Sequence, residues 1–126
     1  MTTIAYNIRH GGFSLSDEAL EMLLDRKGIP WVKVKSKYGG MDYFRADGAL
    51  VNGVYSDDSF LSEYDFTVDR SDEDLIYAIK TLGKEAEGPH CWLATTELPA
   101  GTKYVIQEYD GWEEVKTIDE FDWLIA

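Results

Sequence analysis

The chain has 126 residues, and its 24 Asp and Glu outnumber its 12 Lys and Arg to give a formal net charge of −12. This length fits one domain, residues 1–126, and a hydrophobic content of 44% excludes a disordered acidic tail. No apolar run approaches the ~18 residues of a membrane span, and no signal-peptide pattern opens the chain. We therefore expect a soluble protein that stays in the cytoplasm, which a single cysteine also fits.

The acidic charge is concentrated after residue 40. Residues 1–40 hold six bases and four acids, whereas residues 41–126 hold six bases and twenty acids. Charge of this sign repels polyanions, which argues against bulk nucleic acid and anionic membranes as partners. Two kinds of partner remain, a basic protein surface and a small ligand in a locally basic pocket. The alternative is that the acids only keep the protein soluble.

The first third of the chain predicts a strand, a helix and a second strand. Residues 3–8 alternate apolar and polar side chains, as a half-buried strand does. Ser14 or Ser16 is suited to cap a helix that ends before Gly28 and Pro30. Residues 31–35 alternate again, which predicts a strand with one solvated face.

Turn dipeptides dominate the middle of the chain. We expect residues 42–46 and 49–55 to form a hairpin around Asp47-Gly48. Residues 56–69 are acidic and aromatic, which favours a mostly irregular segment with its rings packed inward. The whole stretch 36–69 has the character of a variable insertion.

The spacing of apolar residues after residue 70 predicts a second helix. Ser71 followed three residues later by Asp74 fits a capping box. One apolar stripe then follows at helical spacing, and Gly88-Pro89 ends the helix. The members of the stripe are Leu75, Ile79, Leu82 and Ala86.

The C-terminal part predicts three consecutive strands, residues 91–98, 103–109 and 112–117. Asp110-Gly111 is a two-residue hairpin turn, and Tyr109 and Trp112 would face each other across it. The apolar residues of 118–126 must dock on the core or on another subunit, which points to a homo-oligomer. The fold expected is α+β: an antiparallel sheet of about five strands with two helices and a C-terminal three-stranded meander.

Catalytic and metal-binding patterns are missing from the sequence. Cys91 lies in an apolar run, which favours a buried, inert thiol. His10 and His90 lack the ligand spacing of a metal site. Paired acids are abundant, but none is singled out as a catalytic pair. We therefore predict a binding protein without cofactor or metal, and a hydrolase ranks last.

Gly11-Gly12 lies between a predicted strand and a predicted helix, where backbone N–H groups can hold an anion. Arg9 and His10 would then supply side-chain donors, although a simple tight turn is the alternative. Aromatic rings beside arginines would make a stacking pocket for a planar anion or anchors for a protein interface. The alternative is that these rings are simply half-buried on strands.

Several short motifs resemble a family of small, uncharacterised tailed-phage proteins. They are the run from His10 to Ala19, Arg70 before an acidic helix start, Glu97-Leu98-Pro99, and Glu108-Tyr109-Asp110-Gly111 with Glu113. Together they cover roughly residues 6–28 and 70–115. The family usually has tyrosine where His10 stands, and its basic C-terminal ending is reduced here.

The resemblance implies a phage protein that counters host defence by stoichiometric binding in the infected cell. One candidate partner is a small nucleotide-type immune signal, held at a subunit interface. Its anion and stacking side would be Arg9, His10, Phe13 and Arg70, with Tyr109 and Trp112 as further rings. The other candidate is an acidic decoy, similar to a DNA mimic, that covers a basic surface of a host defence protein. The decoy predicts that the acids of 57–74 and 108–122 share one face.

Overall fold

The architecture is built from antiparallel strand pairs and short helices. The computed structural model describes residues 1–117. Its strands are β1 (Thr2–Asn7), β2 (Trp31–Lys35), β3 (Met41–Arg45), β4 (Leu50–Val51), β5 (Val54–Tyr55), β6 (Leu93–Leu98), β7 (Tyr104–Tyr109) and β8 (Trp112–Thr117). Its α-helices are α1 (Asp17–Arg26), α2 (Glu63–Thr67) and α3 (Glu73–Leu82). Two short 3₁₀ helices span Asp57–Ser59 and Gly83–Ala86.

The strands form four antiparallel pairs, β1–β6, β2–β3, β4–β5 and β7–β8. The α+β class is confirmed, whereas the single sheet of about five strands and the count of two helices are wrong. The predicted meander holds only in its last turn, because β6 pairs with β1 along six residues, from Leu98 opposite Thr2 to Leu93 opposite Asn7. The β7–β8 hairpin instead lies against β1.

The main core lies between α1, α3 and β1. Its buried members are Ala5, Leu15, Ala19, Leu23, Leu75, Ile79 and Ala86. Leu82 packs against this cluster, so the apolar stripe predicted after residue 70 is confirmed as a core face. Gly83 ends α3 with a positive φ of 58°, and the last stripe residue is reached through the 3₁₀ helix that follows.

Side-chain caps fix where the two longer helices begin. Ser16 accepts a hydrogen bond from the Ala19 N–H at 3.1 Å, which selects it over Ser14 as the cap of α1. The cap of α3 is Asp72, which accepts from the Leu75 N–H at 3.0 Å. The prediction that Ser71 opens this helix is therefore wrong by one residue, since the Ser71 hydroxyl donates to Asp69 instead.

The middle of the chain differs most from the sequence-based prediction. β3 pairs antiparallel with the preceding strand, β2, and not with β4. The Trp31 and Tyr43 rings on this pair pack edge to face, with their centres 5.6 Å apart. The two-residue turn falls at Asn52-Gly53, with φ values of 54° and 78°, and joins β4 to β5. The hairpin predicted around Asp47-Gly48 is therefore wrong.

Residues 56–69 are more regular than expected, because they contain a 3₁₀ helix and α2. Phe66 packs inward, as predicted, against the main core and against a second buried cluster formed by Leu20, Leu24, Tyr43 and Leu61. Phe60 and Tyr64 are 45% and 68% exposed, so the expectation that their rings pack inward is wrong. No helix within residues 1–117 is long and apolar enough to cross a membrane. The docking predicted for 118–126 concerns residues outside the described part.

Candidate functional site

A buried asparagine connects the end of β1 to the β7–β8 hairpin. Asn7 is fully buried. Its Nδ2 donates to the carbonyls of Arg9 at 2.6 Å and Gly111 at 2.7 Å. Its Oδ1 accepts from the N–H groups of Arg9 at 3.2 Å and Trp92 at 3.0 Å. One side chain thus fixes three separate backbone segments at the same place.

An ion pair between Arg70 and Glu113 is hydrogen-bonded to the backbone of this asparagine. Arg70 donates to both carboxylate oxygens of Glu113, at 2.7 and 2.9 Å, and its Nε donates to the Thr67 carbonyl. Glu113 also accepts from the Asn7 N–H at 2.9 Å. The Arg70 guanidinium lies 3.8 Å from the centre of the Phe13 ring. Because Glu113 and the Phe13 ring contact its guanidinium, Arg70 is used within the fold, where it holds β8 in place.

Glycine lets two loops touch backbone to backbone beside the asparagine. A Cβ on Gly111, which has a φ of 88°, would collide with the backbone nitrogens of Gly11 and Gly12. A Cβ on Gly11 would lie 2.5 Å from the His90 carbonyl oxygen. Gly11-Gly12 is therefore packed against the hairpin turn, which fits the tight-turn interpretation of this motif. We call this contact the glycine lock (Gly11, Gly12 and Gly111).

Two adjoining hollows open at the tip of the β7–β8 hairpin, and we call them together the hairpin notch. The first has a volume of about 530 Å³ and is lined by His10, Gly11, Gly12, Glu108, Asp110 and Gly111. The second has a volume of about 420 Å³ and is lined by Gln107, Glu108, Tyr109, Trp112 and Glu114. Glu108 lines both, so the hollows share one wall.

Three of the rings predicted for the site meet at this notch. The His10 ring lies 5.4 Å from Trp112 and 6.3 Å from Tyr109, centre to centre. Its Nδ1 is 3.2 Å from the Asp110 carbonyl oxygen, which holds the imidazole over the turn. Tyr109 and Trp112 stand opposite each other in the register, as predicted, and Tyr109 is 79% exposed.

The remaining predicted residues lie outside the notch. Arg9 sits over the Trp92 ring at 5.3 Å, and Phe13 and Arg70 contact each other on the Glu113 side. Of the other arginines, Arg26 and Arg45 form ion pairs with Asp74 and Asp47. The structure therefore brings together His10, Tyr109 and Trp112 at the notch, but neither Phe13 nor the two arginines predicted for the site.

Carboxylates dominate the charge at the notch. Glu108 accepts a hydrogen bond from the Gly111 N–H, which holds its carboxylate at the turn. Asp110 is the first turn residue, with a φ of 50°. Glu114 is paired with Lys116 at 3.1 Å, so the excess negative charge comes from Glu108 and Asp110. No Lys or Arg of residues 1–117 lines either hollow.

The two acidic stretches of the decoy prediction, 57–74 and 108–122, contact each other where Arg70 binds Glu113. The acids of α3 face elsewhere, because Asp72 and Asp74 both accept hydrogen bonds from Lys27 on the α1 side. Desolvation by burial acts to raise the pKa of Asp72, but the hydrogen bonds from Lys27 and from the Leu75 N–H outweigh it and keep this pKa below its ordinary value. The acids of 118–122 lie outside the described residues.

The key structural residues were not found from the sequence. Asn7 falls in the polar phase of the alternating residues 3–8, so the sequence pattern gave no signal that it is buried. Glu113 gave no signal of its own, because its partner is 43 residues away in the chain. Glu108 and Asp110 were predicted only as members of the acidic stretch and of the turn, not as a site.

The described residues contain no cluster of three or more His, Cys, Asp or Glu that could hold a metal ion. Cys91 is buried, as predicted, and burial raises the pKa of its thiol. Comparison with protein-family models, curated proteins and solved structures returns no match. The assignment of function therefore depends on the chemistry of the site.

Proposed function

We propose that this protein acts by stoichiometric binding to a basic protein surface, as an acidic decoy, and not by catalysis. The observation that supports it is the charge of the hairpin notch. Glu108 and Asp110 line it, and no described cation does, while Arg26, Arg45 and Arg70 are used in ion pairs within the fold. A surface of this sign attracts cationic patches and steers their approach.

Exposed aromatic rings give the same surface something to bind with besides charge. Tyr109 and Trp112 are 79% and 38% exposed on the outer face of the hairpin. Tyrosine and tryptophan are enriched among the residues that contribute most to protein interfaces. The negative charge would speed the association of the partner, and the rings would supply the contact area that stabilises the complex.

Sequestration of a small nucleotide-type signal is the second candidate, and the His10, Tyr109 and Trp112 cluster favours it. A phosphate would need a cation, however, and the arginine expected to supply it is held by Glu113. The carboxylates of the notch would also repel a phosphate. Calorimetry against a panel of cyclic nucleotides tests this candidate, and binding at one ligand per chain would move it ahead of the decoy.

The biological setting of the proposal is the one that the sequence resemblance implies, a tailed-phage protein that counters host defence in the infected cell. A stoichiometric inhibitor needs no active site, which suits a chain in which no catalytic pattern was recognised. Homo-oligomerisation remains a prediction that native mass spectrometry of the full chain checks.

The decoy proposal is tested by capture and competition. The immobilised full chain is incubated with bacterial lysate at low and at physiological salt, and bound proteins are identified by mass spectrometry. We expect a basic nucleic-acid-binding protein that forms a one-to-one complex and that duplex DNA displaces. Failure to retain any basic protein at low salt, or retention that excess DNA leaves unchanged, would contradict the proposal.

A further inference from the structure

We infer that the hairpin notch is a binding site for a single arginine side chain presented by the basic partner. The inference rests on the proposed function and makes it specific. Its ligand is a guanidinium group that stacks on the Tyr109 and Trp112 rings. Glu108 lines both hollows of the notch, and Asp110 lines the first of them together with His10, whose ring contacts Trp112.

The chain already binds its own arginines in this way. The Arg26 guanidinium lies 3.8 Å from the centre of the Tyr77 ring and donates to Asp74 at 3.1 Å. Arg70 lies 3.8 Å from the Phe13 ring and donates to both oxygens of Glu113. In both places one aromatic face and one carboxylate hold one guanidinium.

The notch has the same two components without the arginine. Tyr109 and Trp112 line one hollow, Asp110 lines the other, Glu108 lines both, and no described Lys or Arg lines either of them. A planar guanidinium can stack on a ring while its N–H groups reach a carboxylate, which a lysine ammonium does less well. The preferred ligand is therefore arginine over lysine.

The site is held in place before any ligand arrives. Asp110 and Gly111 both have positive φ, as a two-residue hairpin turn requires. The glycine lock and the Asn7 hydrogen bonds fix this turn against the loop that carries His10. A preformed site avoids part of the ordering cost of binding, so a single exposed side chain can be recognised there.

The test is an NMR titration of the full chain with a nine-residue oligoarginine peptide and, in parallel, an oligolysine peptide of equal length. We expect shifts at the backbone amides of Gly11, Gly12 and Gly111 and at the Trp112 indole N–H. The arginine peptide should bind several-fold more tightly, because the rings contribute to guanidinium stacking.

Two matched double variants separate a specific site from general attraction. E108Q/D110N removes two charges at the notch but keeps an acceptor for the Gly111 N–H and a residue that tolerates positive φ. D57N/D58N removes two charges from an exposed 3₁₀ helix elsewhere. We expect the notch variant to bind the arginine peptide about tenfold more weakly. The control should change the affinity less than about twofold.

The outcomes distinguish this inference from the decoy function itself. Equal weakening by both double variants, or equal affinity for the two peptides, would overturn the arginine site and leave the decoy standing. Undiminished capture of the lysate partner by E108Q/D110N would do the same. If no basic protein is captured and neither peptide binds at low salt, both proposals fail together. Thermal melts of each variant confirm that the chain remains folded.

Discussion

The two strands of the β7–β8 hairpin carry acidic residues in opposite environments. On β8, Glu113 is 6% exposed and bound by Arg70 through two hydrogen bonds. On β7 and in the turn, Glu108 and Asp110 are exposed, and Glu108 accepts a hydrogen bond from the Gly111 N–H. Glu108 and Glu113 are cross-strand partners, so the buried and the exposed acid lie at the same level of the hairpin.

This difference separates carboxylates that stabilise the fold from carboxylates that remain exposed to solvent and to a partner. A buried carboxylate is tolerated only when a cation and hydrogen-bond donors replace its water. Exposed carboxylates keep their hydration, contribute little to stability and remain free to meet a partner. Net charge alone cannot tell these two classes apart, whereas the structure assigns each acid of the hairpin to one of them.

The largest expected effect comes from removing the buried acid of the hairpin. Glu113→Ala leaves Arg70 and the Asn7 N–H without their partner, and we expect a loss of about 3–5 kcal/mol in the free energy of unfolding. Chemical denaturation of the variant measures it. The double variant R70M/E113L should recover a large part of the loss, because no buried charge is then left alone. A loss below about 1 kcal/mol for Glu113→Ala would mean that the pair is effectively solvated.

The packing of the hairpin turn on the Gly11-Gly12 loop is tested at the glycine lock. Gly111→Ala adds a Cβ that meets the nitrogens of Gly11 and Gly12, in addition to the strain of a positive φ. Gly101→Ala is the matched control, since its φ of 84° is similar but no atom lies within 4 Å of the added Cβ. We expect Gly111→Ala to cost about 1–2 kcal/mol more than the control in thermal or chemical unfolding. Equal costs would show that the two loops are not in tight contact.

Glu63 extends the comparison of buried and exposed acids, because it is half-buried and its partner is a backbone N–H and not a cation. Glu63 accepts a hydrogen bond from the Leu15 N–H, and desolvation by burial raises its pKa. A raised pKa means that its contribution to stability is present at low pH and is lost as the pH rises through the folded value. Glu63→Gln keeps the acceptor without the charge, so it should be at least as stable as the native chain at pH 7.

The control for that prediction is Glu63→Ala, which removes the acceptor as well. We expect it to lower the free energy of unfolding by about 1–2 kcal/mol at pH 7. Unfolding curves at pH 4 and pH 7 provide the measurement, and any advantage of the glutamine variant should shrink at the lower pH. A glutamine variant as unstable as the alanine variant would show that the carboxylate itself is required.

The smallest effect is expected at the tip. E108Q/D110N should change the free energy of unfolding by less than about 0.5 kcal/mol, because both carboxylates are exposed and the turn geometry is kept. Equilibrium unfolding compared with the native chain checks this. A loss comparable with that of Glu113→Ala would place the tip carboxylates among the groups that hold the fold.

Local signals predicted the parts of the fold that depend on neighbours in sequence. The two longer helices followed from caps and apolar spacing, and the β7–β8 hairpin followed from Asp110-Gly111. The middle was wrong because Asp47-Gly48 and Asn52-Gly53 are equivalent turn signals, and the packing of Trp31 on Tyr43 decides the pairing of β2 and β3. Sequence alone does not contain that contact.

The same distinction between local signals and long-range contacts explains which features of the site could be predicted. His10, Tyr109 and Trp112 were identified as rings near turns, and they meet in the structure. The charge that the site presents was not predictable, because it depends on whether Arg70 is free or bound. Its partner Glu113 is one of many acids in the chain, and only the three-dimensional contact singles it out.

The glycine lock supports the turn through the main chain, since a Cβ on Gly111 would meet the backbone nitrogens of Gly11 and Gly12. Support of this kind does not depend on the identity of the side chains around it. Positions 107, 109, 112 and 114 can therefore be exchanged with little disturbance to the scaffold that carries them. The hairpin is a practical place for selecting new binders from a small library and, on the proposed function, the place where a point substitution would change the partner.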